Sequence, residues 1–191
     1  MVKLDKIYTR GGDAGETSLG DGARVAKSSP RVTAMGEVDE ANASLGIVRL
    51  YVTGTDDAFL ARIQNDLFDL GADLCVPILP DAERPALRVS QEQVDWLEAQ
   101  IDRLNAELAP LSSFILPGGT PAGAFLHQSR TVVRRAERAV VALLAMPDEA
   151  VNRLVLVYLN RLSDLLFVFS RSLNGKGAGD VLWVPAEFRG G

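Results

Sequence analysis

The sequence predicts an all-α protein, a five-helix bundle with a glycine-rich N-terminal loop, and three observations carry that prediction. Apolar residues recur at helical spacing from Pro30 onward. Capping residues and prolines bracket the periodic stretches. The first thirty residues, rich in glycine and polar side chains, hold no sustained period. At 191 residues, 47% hydrophobic and 24% charged, the chain suits one domain with a sizeable core and excludes disorder as its main state. The expected organisation is a loop segment over 1–30 and a helical bundle over 31–191 within that single domain.

In the first helix Val32, Met35, Asp39, Asn42 and Leu45 fall at steps of three and four, so two polar residues share an apolar stripe. A second helix, about Asp56 to Cys75, repeats Phe59, Ile63, Leu67, Leu70 and Leu74, with Pro77 and Pro80 expected to end it. The third opens on a capping box, Ser90 with Gln93, and runs through Val94, Leu97, Ile101, Leu104 and Leu108 until Pro110 closes it. Thr120 and Pro121 supply the cap and first-turn proline of a fourth helix reaching Met146. Asp148 is the expected cap of a fifth, Glu149 to about Leu173, apolar on most sides as a central helix is. No β-hairpin signal and no solenoid repeat is seen.

Composition excludes several classes of function. The longest apolar run, Ala139 to Met146, is far short of the roughly 20 residues that span a bilayer. His127 is the only histidine, so zinc sites built on paired histidines and di-iron sites needing two Glu-x-x-His motifs cannot form within one chain. The single Cys75 forms no internal disulfide, and the start Met-Val-Lys-Leu-Asp-Lys lacks a signal-peptide core; a reducing, cytoplasmic setting is expected.

Positive charge gathers in Arg130-Thr-Val-Val-Arg-Arg-Ala-Glu-Arg138, net +3 in a chain of net −5. Arg130, Arg134, Glu137 and Arg138 share one helical stripe, with Arg135 to one side. Two readings are open: a solvated face with intrahelical ion pairs, or an anion clamp whose guanidinium forks match phosphate oxygens. Asp39, if buried on its apolar stripe, needs a cation, and an arginine of the fourth helix is the natural candidate. Glu40 faces elsewhere and is expected to be solvated.

Thr9-Arg-Gly-Gly-Asp-Ala-Gly-Glu-Thr-Ser-Leu-Gly-Asp-Gly22 holds five glycines in fourteen residues, with Lys27 soon after. Such a stretch is either an anion nest of backbone N–H groups or a flexible tail; the Walker spacing is absent. Phe114-Ile-Leu-Pro-Gly-Gly-Thr120 reads as an apolar, strand-like piece and a turn, and by residue chemistry alone Phe114 plugs the core. Asn160 lies on a polar stripe of the fifth helix with Arg153, Asp164 and Arg171, free to meet a ligand or to bond Asp164. His127 reads as a satisfied histidine and Cys75 as a small buried hydrophobe.

Taken together, Tyr8-Thr-Arg-Gly-Gly-Asp-Ala-Gly15, Gly36-Glu-Val-Asp-Glu40, Phe114-Ile-Leu-Pro-Gly-Gly119, Arg134-Arg-Ala-Glu-Arg138 and Asn160-Arg-Leu-Ser-Asp164 resemble, in order and over nearly the whole chain, the signatures of PduO-type ATP:cob(I)alamin adenosyltransferases. The resemblance implies a five-helix bundle assembled as a homotrimer, with ATP and the corrinoid bound between subunits, and transfer of the 5′-deoxyadenosyl group of ATP to cobalt with release of triphosphate. A non-catalytic nucleotide- and cobalamin-binding carrier or regulator on the same bundle is the alternative.

Carried over by position, Thr9, Arg10, Gly11, Gly12, Asp13, Ala14, Gly15, Glu16, Thr17, Ser18 and Lys27 resemble the family's ATP loop, with Gly11 and Ala14 departing from the residues frequent there. Arg134, Arg135, Ala136, Glu137, Arg138 and Asn160 resemble its remaining nucleotide contacts, Glu137 toward Mg²⁺ on the ATP phosphates. Asp39 with Arg130 resembles an inter-subunit ion pair, and Phe114 the aromatic that displaces the lower axial ligand of cobalamin. The expected partners are ATP, Mg²⁺ and reduced corrinoid, with a reductase and an adenosylcobalamin-dependent enzyme as candidate protein partners and neither nucleic acid nor membrane.

Overall fold

The computed structural model describes residues 7–78 and 85–189. Five helices follow in order: α1 Pro30–Arg49, α2 Gly54–Cys75, α3 Gln91–Asn105, α4 Pro121–Leu144 and α5 Arg153–Leu173. A two-stranded antiparallel hairpin, β1 Glu16–Ser18 and β2 Arg24–Ala26, precedes them, pairing Thr17 with Val25. None of the described helices is long and apolar enough to cross a membrane.

α3 and α4 start where the sequence places their caps, and α1 starts at Pro30. Ser29 accepts from the Val32 amide at the head of α1, Thr120 accepts from Gly123 at the head of α4, and both helices carry a first-turn proline. The Ser90–Gln93 capping box is formed in both directions. α5 is enclosed on most sides: Val155, Tyr158, Leu159, Leu162, Leu165, Leu166 and Phe169 are buried, packed by α4 on one side and α3 on another. α1 lies on α4 through the small-residue stripe Ala34, Val38 and Ala41 facing Val133, Ala136 and Val140.

Four expectations need correction. The hairpin was not foreseen, because strands of three residues with only Thr17 and Val25 half-buried display no alternation to read. Its turn closes through Gly22 at φ 90°, with Asp21 accepting from the Ala23 amide, and Gly20 donates to the Cys75 carbonyl at 2.9 Å, tying the loop to the end of α2. α3 stops at Asn105 rather than near Pro110: the next residues loosen into i→i−3 turns, although Leu108 still packs on the core. α4 ends at Leu144, two residues before Met146, which is within ordinary fraying.

α5 starts at Arg153, capped by Asn152 rather than Asp148. Glu149 is drawn away to Arg31, whose guanidinium also donates to the carbonyls of Leu74 and Ala150. The Asn152 amide is better placed: its Oδ1 accepts from Leu154 while its Nδ2 donates to Asp73 and to the Val89 carbonyl. Pro77 follows α2 as expected, whereas Pro80 lies outside the described residues.

The far end of the bundle is knotted by two buried polar side chains. Arg171, placed on the polar stripe of α5 by its spacing, is 7% exposed in its side chain and donates to Asp180, itself 2% exposed, at 2.8 Å. Its other branch donates to the Ala109 carbonyl. Asn174 accepts from the amide and hydroxyl of Thr120 and donates to the carbonyl of Gly118. The turn before α4 and the tail after α5 are therefore held to one point. Glycine is required there, because a Cβ on Gly119 or Gly123 would fall inside the Asn174 amide.

Alanine normally stabilises a helix over glycine by up to about 1 kcal/mol, and Gly46 of α1, where a Cβ would meet only Gln64 at 3.7 Å, should behave so. Gly123→Ala should instead destabilise by ~1–3 kcal/mol, because it overpacks the Asn174 clamp. Thermal melts of the two variants, with opposite signs expected, check this.

Candidate functional site

α4 presents its arginines in different directions because its apolar stripe is committed to the core. Val133, Ala136 and Val140 are buried, so Arg134 and Arg138 emerge into solvent one turn apart, and Arg138 donates to the Arg134 carbonyl. Glu137, half-buried, lies 3.8 Å from Arg134. Arg135 turns toward α1, where Glu37 and Glu40 both bind it and hold its guanidinium protonated well beyond its ordinary range. Asn160 is exposed on α5 without a bond to Asp164, which pairs with Arg161 instead.

The expected intrachain partnership between Asp39 and an arginine of α4 is not formed. Asp39 is exposed on the rim of a groove between α1 and α2, lined by Met35, Phe68 and Cys75, so no burial cost demands a cation within the chain. The acids that meet α4 are Glu37 and Glu40, and Glu40, although exposed, is not merely solvated. Asn42, the second polar residue of the stripe, is buried and donates to the Gln64 carbonyl. Cys75 is half-buried rather than enclosed.

The glycine-rich loop folds into a tight exposed turn. Asp13 donates to the Arg10 carbonyl and Gly15 to the Gly12 carbonyl, with Arg10 at φ 62° and Gly15 at φ 84°. Lys27 donates its amide to the Gly15 carbonyl, and its ammonium lies over Gly12, where a Cβ would come within 2.9 Å of it. Loop and lysine are thus brought together. Arg24, which sequence reasoning missed, sews the loop by donating to the Gly11 carbonyl and the Ser18 hydroxyl and pairing with Glu16. Thr9, Ala14 and Ser18 are exposed and Thr17 half-buried. Among the described residues no hydrogen bond or ion pair joins this loop to Arg134, Arg138 or Asn160.

Phe114 does not plug the core: it is 77% exposed. Residues 114–116 run antiparallel to 181–183, with Leu116 donating to Val181 and Trp183 to Phe114, so the tail holds the strand-like piece at the surface. Trp183 packs edge-on against the Phe114 ring at 6.1 Å. Behind them is a cavity of about 630 Å³ lined also by Leu111, Phe167, His127 and Arg130. Arg130 forms no hydrogen bond or ion pair among the described residues, and its Nε is buried without a partner. Burial, then the neighbouring Arg134, lower the affinity of Arg130 for its proton. Trp183 had no signal in the sequence, since it reaches the site only through pairing of segments far apart in the chain.

The described residues include no group of three or more His, Cys, Asp or Glu able to hold a metal ion.

Residues 7–173 match the family model for cobalamin adenosyltransferase. The chain is 50% identical over 98% of its length to a corrinoid adenosyltransferase of Mycobacterium tuberculosis, covering 97% of that protein, and 43% identical to one of Bacillus subtilis, covering 92% and 91%. It matches Salmonella typhimurium PduO at 43% identity, spanning about half of that longer protein (49%). Among solved structures, a phenylalanine-to-histidine variant of a PduO-type ATP:corrinoid adenosyltransferase from Lactobacillus reuteri, complexed with cobalamin and ATP, superposes with a TM-score of 0.85 at 39% identity, over 93% of this chain and 96% of that one. An arginine-to-lysine variant of the same type, complexed with ATP, gives 0.84 at 39% identity, over 94% and 100%. By these matches the chain is a member of the cobalamin adenosyltransferase family.

Proposed function

We propose that this chain transfers the 5′-deoxyadenosyl group of ATP to the cobalt of cob(I)alamin, releasing triphosphate. The observation that carries the reading is the exposed Phe114 ring, held by the tail over a cavity of mixed polar and apolar lining beside the unpartnered Arg130. A carrier has no use for an aromatic wedge at the metal face.

The reaction asks little acid–base chemistry of the protein. The reduced cobalt of the corrinoid substrate is the nucleophile; its electron pair forms the Co–C5′ bond as the C5′–O bond breaks, and triphosphate leaves with the electrons of the broken C–O bond. What the chain supplies is orientation of the two substrates and charge for the leaving group. Arg134 and Arg138, exposed and one turn apart, and the turn under Lys27 are the groups suited to the triphosphate. In this reading Asn160, exposed on α5, is a further nucleotide contact, and Arg135 is anchored to α1. Glu137 is the carboxylate that would hold a Mg²⁺, which would neutralise further charge on the leaving group.

The site is composite in this reading. Asp39 and Arg130 are matched in charge, each without a partner among the described residues, and the ATP loop and the arginine fan are not joined within one chain. A homotrimer in which each subunit's Asp39 meets a neighbour's Arg130 supplies both missing contacts. The exposed Phe68, at 70%, in the Asp39 groove supports coverage of that face. A cytoplasmic, reducing location, a reductase and an adenosylcobalamin-dependent client belong to the same proposal, with the electron supply that cob(I)alamin requires as their support.

Incubation with ATP, Mg²⁺ and chemically reduced cobalamin should yield the absorption spectrum of adenosylcobalamin; no product under full reduction refutes the enzyme. Arg134→Ala should abolish turnover, with at least ~1.5–3 kcal/mol of charge-assisted bonding lost. Arg134→Lys should not rescue it, because a point charge cannot reproduce the fork; near-normal activity of the lysine variant would mean charge alone suffices.

Phe114→Ala separates wedge from plug. As the ring is mostly exposed, the melting curve should move by no more than about 0.5–1 kcal/mol, against the ~3–5 kcal/mol of a buried ring. ATP binding should persist. Turnover should fall sharply when the reaction starts from cob(II)alamin with a mild reductant and less when cob(I)alamin is supplied, whereas equal losses in the two assays contradict the wedge.

A further inference from the structure

Three cations stand at the glycine loop, and they are not equivalent. The Lys27 ammonium lies beside Gly12 and forms no ion pair or hydrogen bond among the described residues. Arg10 holds its guanidinium 5.8 Å from the centre of the Tyr8 ring. Arg24 is already committed: Nη2 donates to the Gly11 carbonyl at 2.8 Å, Nη1 donates to the Ser18 hydroxyl at 3.2 Å, and the Glu16 carboxylate is 3.5 Å away. Its charge is answered inside the hairpin, so among the three it is the one least free to meet an anion.

The hairpin is what delivers Arg24 to the loop. Ser18 and Arg24 are paired across β1 and β2, and Glu16 projects from the same face two residues away. From there the guanidinium reaches thirteen residues back along the chain to Gly11.

Pinning that carbonyl sets a whole peptide. The Gly11–Gly12 bond is trans and planar, so its N–H points opposite to its C=O. With the carbonyl drawn to Arg24, the Gly12 N–H is turned away from the guanidinium. The neighbouring carbonyls are used as well, Arg10 accepting from Asp13 and Gly12 from Gly15. Three successive carbonyls are thus consumed within the loop and hairpin, while the amides of Gly11 and Gly12 donate to nothing among the described residues. Arg10 sits just before them at φ 62°, a left-handed conformation that a non-glycine residue keeps only where surrounding bonds dictate it.

We propose that Arg24 is a positioning residue for ATP: it holds the Gly11–Gly12 peptide so that the Gly12 N–H, with the Lys27 ammonium beside it, is presented to a phosphate oxygen, and it does not itself touch the nucleotide. This rests on the adenosyl-transfer reading, which puts ATP at the loop. A guanidinium suits the task because its two terminal nitrogens bond two separate segments at once, which a single ammonium cannot do. A nest of amides set before the ligand arrives spares ATP the cost of ordering it.

The test follows the glycine amides of the whole protein, labelled with ¹⁵N, by NMR as inorganic triphosphate or ATP is added. The Gly12 amide should move downfield, whereas those of Gly15, Gly20 and Gly22, already bonded to carbonyls of the chain, should move less. Arg24→Met keeps a side chain of similar bulk and removes every donor. It should lose the Gly12 shift and raise the KM for ATP at least about tenfold, leaving kcat at saturating ATP and the KM for cob(I)alamin within about twofold. The loss of ATP affinity should be the same factor at low and at high salt, because no ion pair with phosphate is removed. The melting temperature should hardly change, the Arg24 side chain being 43% exposed.

A Gly12 amide that stays in place when the wild-type protein is saturated with triphosphate and with ATP overturns the proposal, and decides alone if the variant does not fold. Normal ATP affinity in Arg24→Met overturns it too. So does a loss that shrinks several-fold in high salt, since Arg24 would then be meeting phosphate itself. ATP bound and adenosylation normal with Gly12 unmoved removes only the role of Arg24; a chain that binds neither ATP nor triphosphate removes the transfer reading with it.

Discussion

Burial of one stripe of α4 is the constraint on which the rest depends. Leu126, Val133, Ala136, Val140 and Leu143 are wholly enclosed against α1 and α5, each larger side chain contributing ~1.5–3 kcal/mol. No exposed ion pair rivals that sum. Once the stripe is fixed, helical geometry leaves no choice in where the arginines go: Arg135 toward α1 and its two glutamates, Arg134 and Arg138 into solvent, Arg130 to the cavity wall. One arginine is tied to α1, two stand in solvent with contacts only within α4, and Arg130 has no partner among the described residues.

The second constraint is the clamp at the other end of α5. Asn174 and the Arg171–Asp180 pair hold the turn before α4 and the tail after α5 together, and this makes the ladder between residues 114–116 and 181–183 possible. A ring as large as Phe114 would otherwise seek the core. Backbone pairing on the surface, with Trp183 against its edge, keeps it out. Fold and site are coupled here, since buried polar bonds fix the position of an exposed apolar group.

Much of this was legible in the sequence. Five apolar periods and their caps gave the bundle, and the proline and capping signals set the starts of α1, α3 and α4. The start of α5 was misplaced because Asp148 and Asn152 are both good caps, and only the tertiary partners Asp73 and Val89 choose between them. The hairpin was too short to show a period. The apolar stripe around Asp39 asked for a cation only if the carboxylate were buried, and Phe68 of α2 with Met35 of α1 leaves an open groove there rather than a closed interface. The roles of Trp183 and Arg24 depend on contacts between separate segments, which no local pattern encodes.

The central claim is that the fold leaves Asp39 and Arg130 unmatched so that separate copies complete each other, and a charge-reversal cycle read by light scattering tests it most directly. Asp39→Arg and Arg130→Asp should each weaken assembly, and the double reversal, which restores an opposite-charge pair across the contact, should recover the trimer well beyond the sum of the two single effects. Strictly additive losses, or a wild-type chain that stays monomeric with full turnover, would contradict the account.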